Sequence, residues 1–117
     1  MDILNSTDIE LLEICKPIAQ KLESGWNNND YETFIENVAP DRKSSISIES
    51  FNKQRAKAIE ELGESSLKSL IAIHRNPENV VVIWEIGFKK RPEPGVGVYC
   101  FSEINGVIKV ASSLHHH

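Results

Sequence analysis

The sequence predicts an α+β domain: three N-terminal helices packed on the concave face of a curved antiparallel meander of four strands or slightly more. Apolar residues recur at helical spacing as far as Leu62, and from Ser65 onward they alternate with a period of two. Turn signals, Asn76-Pro77-Glu78-Asn79 and above all Asn105-Gly106, divide the alternating part into consecutive strands.

The first helix starts near Asp8, where Thr7 and Glu10 have the spacing of a capping box. Leu11, Cys15, Ile18, Leu22 and Trp26 follow on one face. Pro17 lies inside that stripe; it lacks an N–H and its ring crowds the carbonyl of Glu13, so a kink or break is expected there. Gly25 suits a C-terminal stop. Asn29 or Asp30 caps the second helix, which sets Tyr31, Phe34, Ile35 and Val38 on one face before Pro40 ends it. The segment 41–47, "DRKSSIS", is read as a short edge strand. Ser47 caps the third helix, with Ile46 and Phe51 placed as a hydrophobic staple. Phe51, Ala58 and Leu62 form its inner stripe and Gly63 its end.

Four strands follow, over residues 66–75, 79–90, 95–104 and 106–113, joined by "NPEN", "RPEPG" and the Asn-Gly turn. A four-residue first loop sets Arg75 opposite Val80, Ile73 opposite Val82, Ile71 opposite Trp84 and Leu67 opposite Phe88. The Asn-Gly turn pairs Ile104 with Val107 and places Tyr99, Phe101, Ile108 and Val110 on one face. The aromatic faces of the two hairpins then form the concave side. Trp84, Tyr99 and Phe101 meet Trp26, Tyr31, Phe34 and Phe51 from the helices there. The opposite face carries Leu70, Ala72, Val81, Ile83, Cys100, Ile104, Val107 and Ala111, too apolar to be left in water.

The 117 residues suffice for one core, assigned to residues 1–113. Leu114 to His117 have the look of a purification-tag remnant and are set apart from functional reasoning. A net charge of −4 offers no electrostatic footprint for nucleic acid or an anionic membrane. No apolar run reaches the ~20 residues of a membrane span, and the acidic start lacks a signal-peptide pattern, so a cytoplasmic location is expected. Cys15 and Cys100 have no metal-ligand spacing and read as buried thiols. His74 is then the one histidine left for chemistry, and it falls near a turn on the less aromatic face. No phosphate loop, nucleophile elbow or metal cluster is present, so no cofactor, no metal and no catalytic residue is assigned.

The corner Trp26-Asn27-Asn28-Asn29-Asp30-Tyr31, with Phe34 beyond it, followed by a long meander ending in Gly106-Val107-Ile108-Lys109-Val110, resembles the nuclear transport factor 2-like superfamily. This is the SnoaL-like or cystatin-like α+β cone, and the resemblance covers about Asp8 to Ser113. It implies a curved sheet wrapped around helices, on which isomerases, dehydratases and proteins without chemistry have all been built. None of the positions here matches the catalytic set of the ketosteroid-isomerase-like members: Glu85 points away from the cone and Glu103 lies at its rim. The expected function is that of an uncharacterised, non-catalytic cone protein. It would form a homodimer through Leu70, Ala72, Val81, Ile83, Cys100 and Ala111. A small apolar or aromatic ligand would sit among Trp26, Tyr31, Phe34, Trp84, Tyr99 and Phe101. The alternatives are a small isomerase or dehydratase using Tyr31, Tyr99 or Glu103, and a pure protein-interaction module.

Overall fold

The computed structural model describes residues 2–117. Among them, helices α1 (Asp8–Asn27), α2 (Tyr31–Ile35), α3 (Pro40–Lys43) and α4 (Ile48–Leu62) precede strands β1 (Ser65–Arg75), β2 (Val80–Phe88), β3 (Arg91–Ile104) and β4 (Val107–His116). The strands form one antiparallel sheet in the order β1-β2-β3-β4, with the helices against one face.

The capping box forms as its spacing demands. Glu10 N–H donates to the Thr7 hydroxyl at 3.2 Å, and Thr7 N–H donates to the Glu10 carboxylate at 3.0 Å. The expected break at Pro17 is absent, and α1 runs unbroken from Asp8 to Asn27. Pro17 and Glu13 are both exposed, so the carbonyl that loses its helical donor faces water, which can take the bond. Gly25 is not the stop either. It is buried inside α1, and a Cβ there would lie 2.4 Å from the Phe34 backbone nitrogen. The chain turns two residues beyond the helix, at Asn29, whose φ of 55° is the left-handed conformation that asparagine tolerates. Asp30 then caps α2 by accepting from Thr33 N–H at 3.2 Å.

The short second helix ends at Ile35 rather than running to Pro40, because the chain is captured by the sheet. Val38 makes an isolated parallel bridge with Val110. Ala39 N–H donates to the Val110 carbonyl at 2.8 Å, and Val110 N–H donates to the Asn37 carbonyl at 2.7 Å. The edge pairing assigned to residues 41–47 therefore falls a few residues earlier, and Pro40 opens the helical turn α3. Proline at the first position of a helix loses no hydrogen bond.

Register near the turns follows the loop lengths: Arg75 opposes Val80, Ile73 opposes Val82, and Ile104 opposes Val107. Asn105 and Gly106 take φ of 52° and 79°, as a type I′ turn requires. Farther from the turns, two irregularities in β1 shift the pairing, so that Leu70 rather than Ile71 opposes Trp84 and Leu67 opposes Ile86. The second turn is Lys89-Lys90 rather than "RPEPG", which enters β3. Pro92 and Pro94 fit there because the pairing of β3 with β4 begins only at Val96, leaving that edge with no ladder bond to lose.

The core lies between α1 and the inner sheet face. Leu11, Cys15, Ala19 and Leu22 from α1 meet Val80, Val82, Trp84, Tyr99, Phe101 and Val110, with Ile3 closing one end. Burial in this apolar setting pushes the Cys15 thiol up to about 12, leaving it inert.

Candidate functional site

The corner that ends α1 is a polar joint. The Asn27 side-chain amide donates to the Ser65 carbonyl at 2.7 Å and accepts from Ser65 N–H at 3.0 Å, so it binds the start of β1 as a neighbouring strand would. Arg55 of α4 donates to the Trp26 and Asn27 carbonyls at 2.5 and 2.8 Å, satisfying the open end of α1. This places α1, α4 and β1 at fixed separations.

Between α4, the second half of α1, α2 and β4 lies a cavity of about 460 Å³. Trp26, Phe34, Phe51, Ala58, Leu62 and Val110 form its apolar walls. Polar groups enter from Gln54, Ser112 and Ser113, and from Glu23 of α1 and His115 at the end of β4. The Trp26 ring lies 5.7 Å from that of Phe34 and 5.8 Å from that of Phe51, while Phe34 and Phe51 are 4.9 Å apart.

Of the residues expected to line a pocket, Trp26 and Phe34 do so. Tyr31 packs edge-on against Phe51 and donates its hydroxyl to the Ile46 carbonyl, tying α2 to the start of α4. Trp84, Tyr99 and Phe101 are at most 1% exposed and pack on one another at 5.4 to 6.5 Å, forming core behind the cavity. Glu103 and His74 are both exposed.

Tyr99 nonetheless reaches the site through its hydroxyl, which donates to Glu23. Glu23 is 4% exposed, and every described bond to its carboxylate comes from another element. Ser65 Oγ donates to Oε2 at 2.5 Å, and His115 Nε2 lies 2.6 Å from Oε1. Burial alone would push the Glu23 carboxyl up. The hydrogen bond and charge of His115, with the Ser65 and Tyr99 hydroxyls, outweigh that and hold it below the ordinary carboxylate value. The Tyr99 phenol is driven the other way, upward, first by burial and then by the adjacent carboxylate. Glu23 is the site residue that periodicity passed over. Leu11, Cys15, Ala19 and Glu23 are spaced by four, so a carboxylate continues the buried stripe. His115 reaches it because an irregularity between Cys100 and Phe101 shifts β4, setting His115 opposite Gly97 on the inner face.

On the other face of the sheet, Ala72 opposes Ile83, Ile83 opposes Val98 and Val98 opposes Leu114. Ala72 is exposed and Val81, Ile83, Cys100 and Ala111 are half-buried, whereas Leu70, expected on this face, is shifted by the irregularity in β1 into register with Trp84 of the inner face and is 43% exposed. No helix among the described residues is long and apolar enough to cross a membrane, and none of their His, Cys, Asp and Glu side chains cluster as metal ligands.

Helices leading into a curved antiparallel meander, with a cavity held between them, define a small α+β cone. It is the nuclear transport factor 2-like, or cystatin-like, fold. An NTF-2-like protein of unknown function from Shewanella oneidensis superposes with a TM-score of 0.57 at 12% identity, over 88% of this chain and 96% of that one. A cystatin-like-fold protein of unknown function from Nostoc punctiforme gives 0.62 at 13% identity, over 93% and 91%. TerC, co-crystallised with polyporic acid, gives 0.54 at 13% identity, over 86% and 88%. At these identities the likeness is one of fold. No family model and no curated protein matches the chain in sequence.

Proposed function

We propose that this is a cytosolic, non-catalytic cone protein that holds a small apolar or aromatic ligand in the cavity and dimerises through its outer sheet face. The observation that carries the ligand reading is the 460 Å³ cavity, in which Trp26, Phe34, Phe51 and Leu62 face polar and charged groups from Glu23, Arg42, Gln54, Ser112 and His115. A concave site that joins aromatic walls to polar and charged groups suits a small molecule with an apolar body and a polar end. TerC, of the same fold, is a protein solved with the aromatic compound polyporic acid, which agrees in kind. The dimer reading rests on Ala72, Ile83, Val98 and Leu114, which follow one another across the apolar outer face, with Leu114 56% exposed. A second copy would cover such a face isologously.

Binding is tested by titrating 1-naphthol against the protein and following tryptophan fluorescence, since Trp26 lines the cavity. Saturable quenching that disappears in Ala58→Trp, which fills the cavity, is expected; non-saturable quenching in both proteins would sink the reading. Light scattering on wild type and Ile83→Glu tests the dimer, and a wild type that stays monomeric at high concentration removes it.

An acid–base enzyme of the isomerase or dehydratase kind is the second reading, favoured by the meeting of Glu23, Tyr99 and His115. Against it, the Tyr99 phenol is fully buried and its proton is held firmly, a poor setting for a general acid. Glu23 would be left with His115 as its only partner for acid–base work.

A further inference from the structure

We propose that the ligand of this cavity carries a protonated nitrogen that pairs with Glu23, and that the His115 imidazole stands in for it. The inference rests on the ligand-binding reading above and names the class of ligand. It starts from the bonds of one carboxylate. Tyr99 and Ser65 give Glu23 two hydroxyl donors, from β3 and β1, and both belong to the framework of the sheet. Neither brings charge. The third partner is different in kind, a basic nitrogen 2.6 Å from Oε1, carried by a side chain that lines the cavity.

A carboxylate 4% exposed is stable as an anion only with a cation or a strong donor at hand. Strands β1 and β3 supply hydroxyls alone, and the one partner able to bring charge is His115 of β4, which lines the cavity together with Glu23. His115 is paired with Gly97 near the end of β4, and its side chain is 24% exposed. An amine or imidazole on an aromatic ligand would reproduce its bond to Glu23 while filling the apolar walls. Arg42 also lines the cavity but is exposed to water, so its charge is already solvated and makes a weaker claim on the ligand.

Three probes of one shape separate the possibilities: 1-naphthylmethylamine, 1-naphthalenemethanol and 1-naphthoate, titrated at pH 7 against wild type, His115→Ala, and His115→Ala with Glu23→Gln. The amine should bind His115→Ala at least tenfold more tightly than wild type, and at least tenfold more tightly than the alcohol binds the same variant. Adding Glu23→Gln should abolish that preference, bringing amine and alcohol affinities together. In wild type, without any substitution, the amine should shift the His115 ring resonances as it displaces the imidazole. Equal binding of amine and alcohol to His115→Ala, or tighter binding of the naphthoate, overturns the proposal and leaves the apolar cavity standing. Binding of none of the three overturns both. Should Glu23→Gln fail to fold, unmoved His115 resonances at saturating amine overturn the proposal alone.

Discussion

Asn27 binds Ser65 twice through the backbone, and the hydroxyl of the same Ser65 donates to Glu23, so the joint at the end of α1 and the buried carboxylate are one hydrogen-bonded unit. The first prediction follows from that continuity. Asn27→Ala strands an N–H and a carbonyl of a residue only 6% exposed, a loss of about 2 kcal/mol. Urea unfolding measures it. Asn27→Asp should not rescue the loss, because a carboxylate accepts from the N–H but meets the Ser65 carbonyl without a proton to offer. Full stability in Asn27→Asp would contradict the two-bond geometry.

Gly25→Ala is predicted to destabilise, against the ordinary preference of helices for alanine. The added methyl would sit 2.4 Å from the Phe34 nitrogen and 2.7 Å from its Cα, both backbone atoms of α2. Relief requires moving α2 away from α1, an overpacking cost of about 3 kcal/mol. A variant at least as stable as wild type, by thermal or urea unfolding, would show that the two helices are not in such contact.

The corner residues also mark what could be read from sequence and what could not. Periodicity made the strands and their faces legible, since every second residue of β2 from Val80 to Phe88 is buried. Caps at Thr7, Asp30 and Ser47 placed three helix starts. Apart from Pro17, whose freed carbonyl faces water, the misreadings arise where a distant partner overruled local chemistry. Gly25 resembles a helix stop in sequence, yet its lack of a side chain serves contact with Phe34 nine residues on. Irregular pairing in β1 and β3 left no trace in composition, and it decides which residues reach the inner face. Two of the aromatics expected around a pocket, Trp26 and Phe34, do line one. Trp84 and Phe101 were drawn into the core because the sheet face they occupy lies directly against α1. Glu23 was visible only as a charge on an otherwise apolar four-residue step.

Tyr99→Phe isolates the contribution of one hydroxyl. The ring, packed against Trp84 at 5.4 Å and Phe101 at 6.3 Å, is retained, while Glu23, 4% exposed, loses one of its hydroxyl donors. A loss of about 1–3 kcal/mol is expected, with the near-ultraviolet dichroism of the aromatic cluster preserved. A neutral substitution would mean that the Tyr99 bond to Glu23 contributes nothing net to folding.

The last prediction concerns pH and uses the sign of the Glu23 shift. In the folded chain this carboxyl sits below its ordinary value of 4.5, so it binds protons less readily than in the unfolded chain. Its contribution to stability is therefore complete above about pH 4.5 and is lost as the pH falls through the folded value. His115→Ala removes the two largest influences that lower the carboxyl and leaves burial, the largest single influence, opposed only by Ser65 and Tyr99. The folded value must then move upward, and each unit of movement is worth about 1.4 kcal/mol at a pH where Glu23 is ionised. Thermal midpoints of wild type and His115→Ala, measured from pH 3 to pH 6, should lie closest together at the acid end. They should separate as the pH rises through the carboxylate range. Lost packing of the imidazole would add a constant offset, so the diagnostic quantity is the change in the gap between the two curves. Parallel curves across that range would mean that His115 does not govern the charge of Glu23.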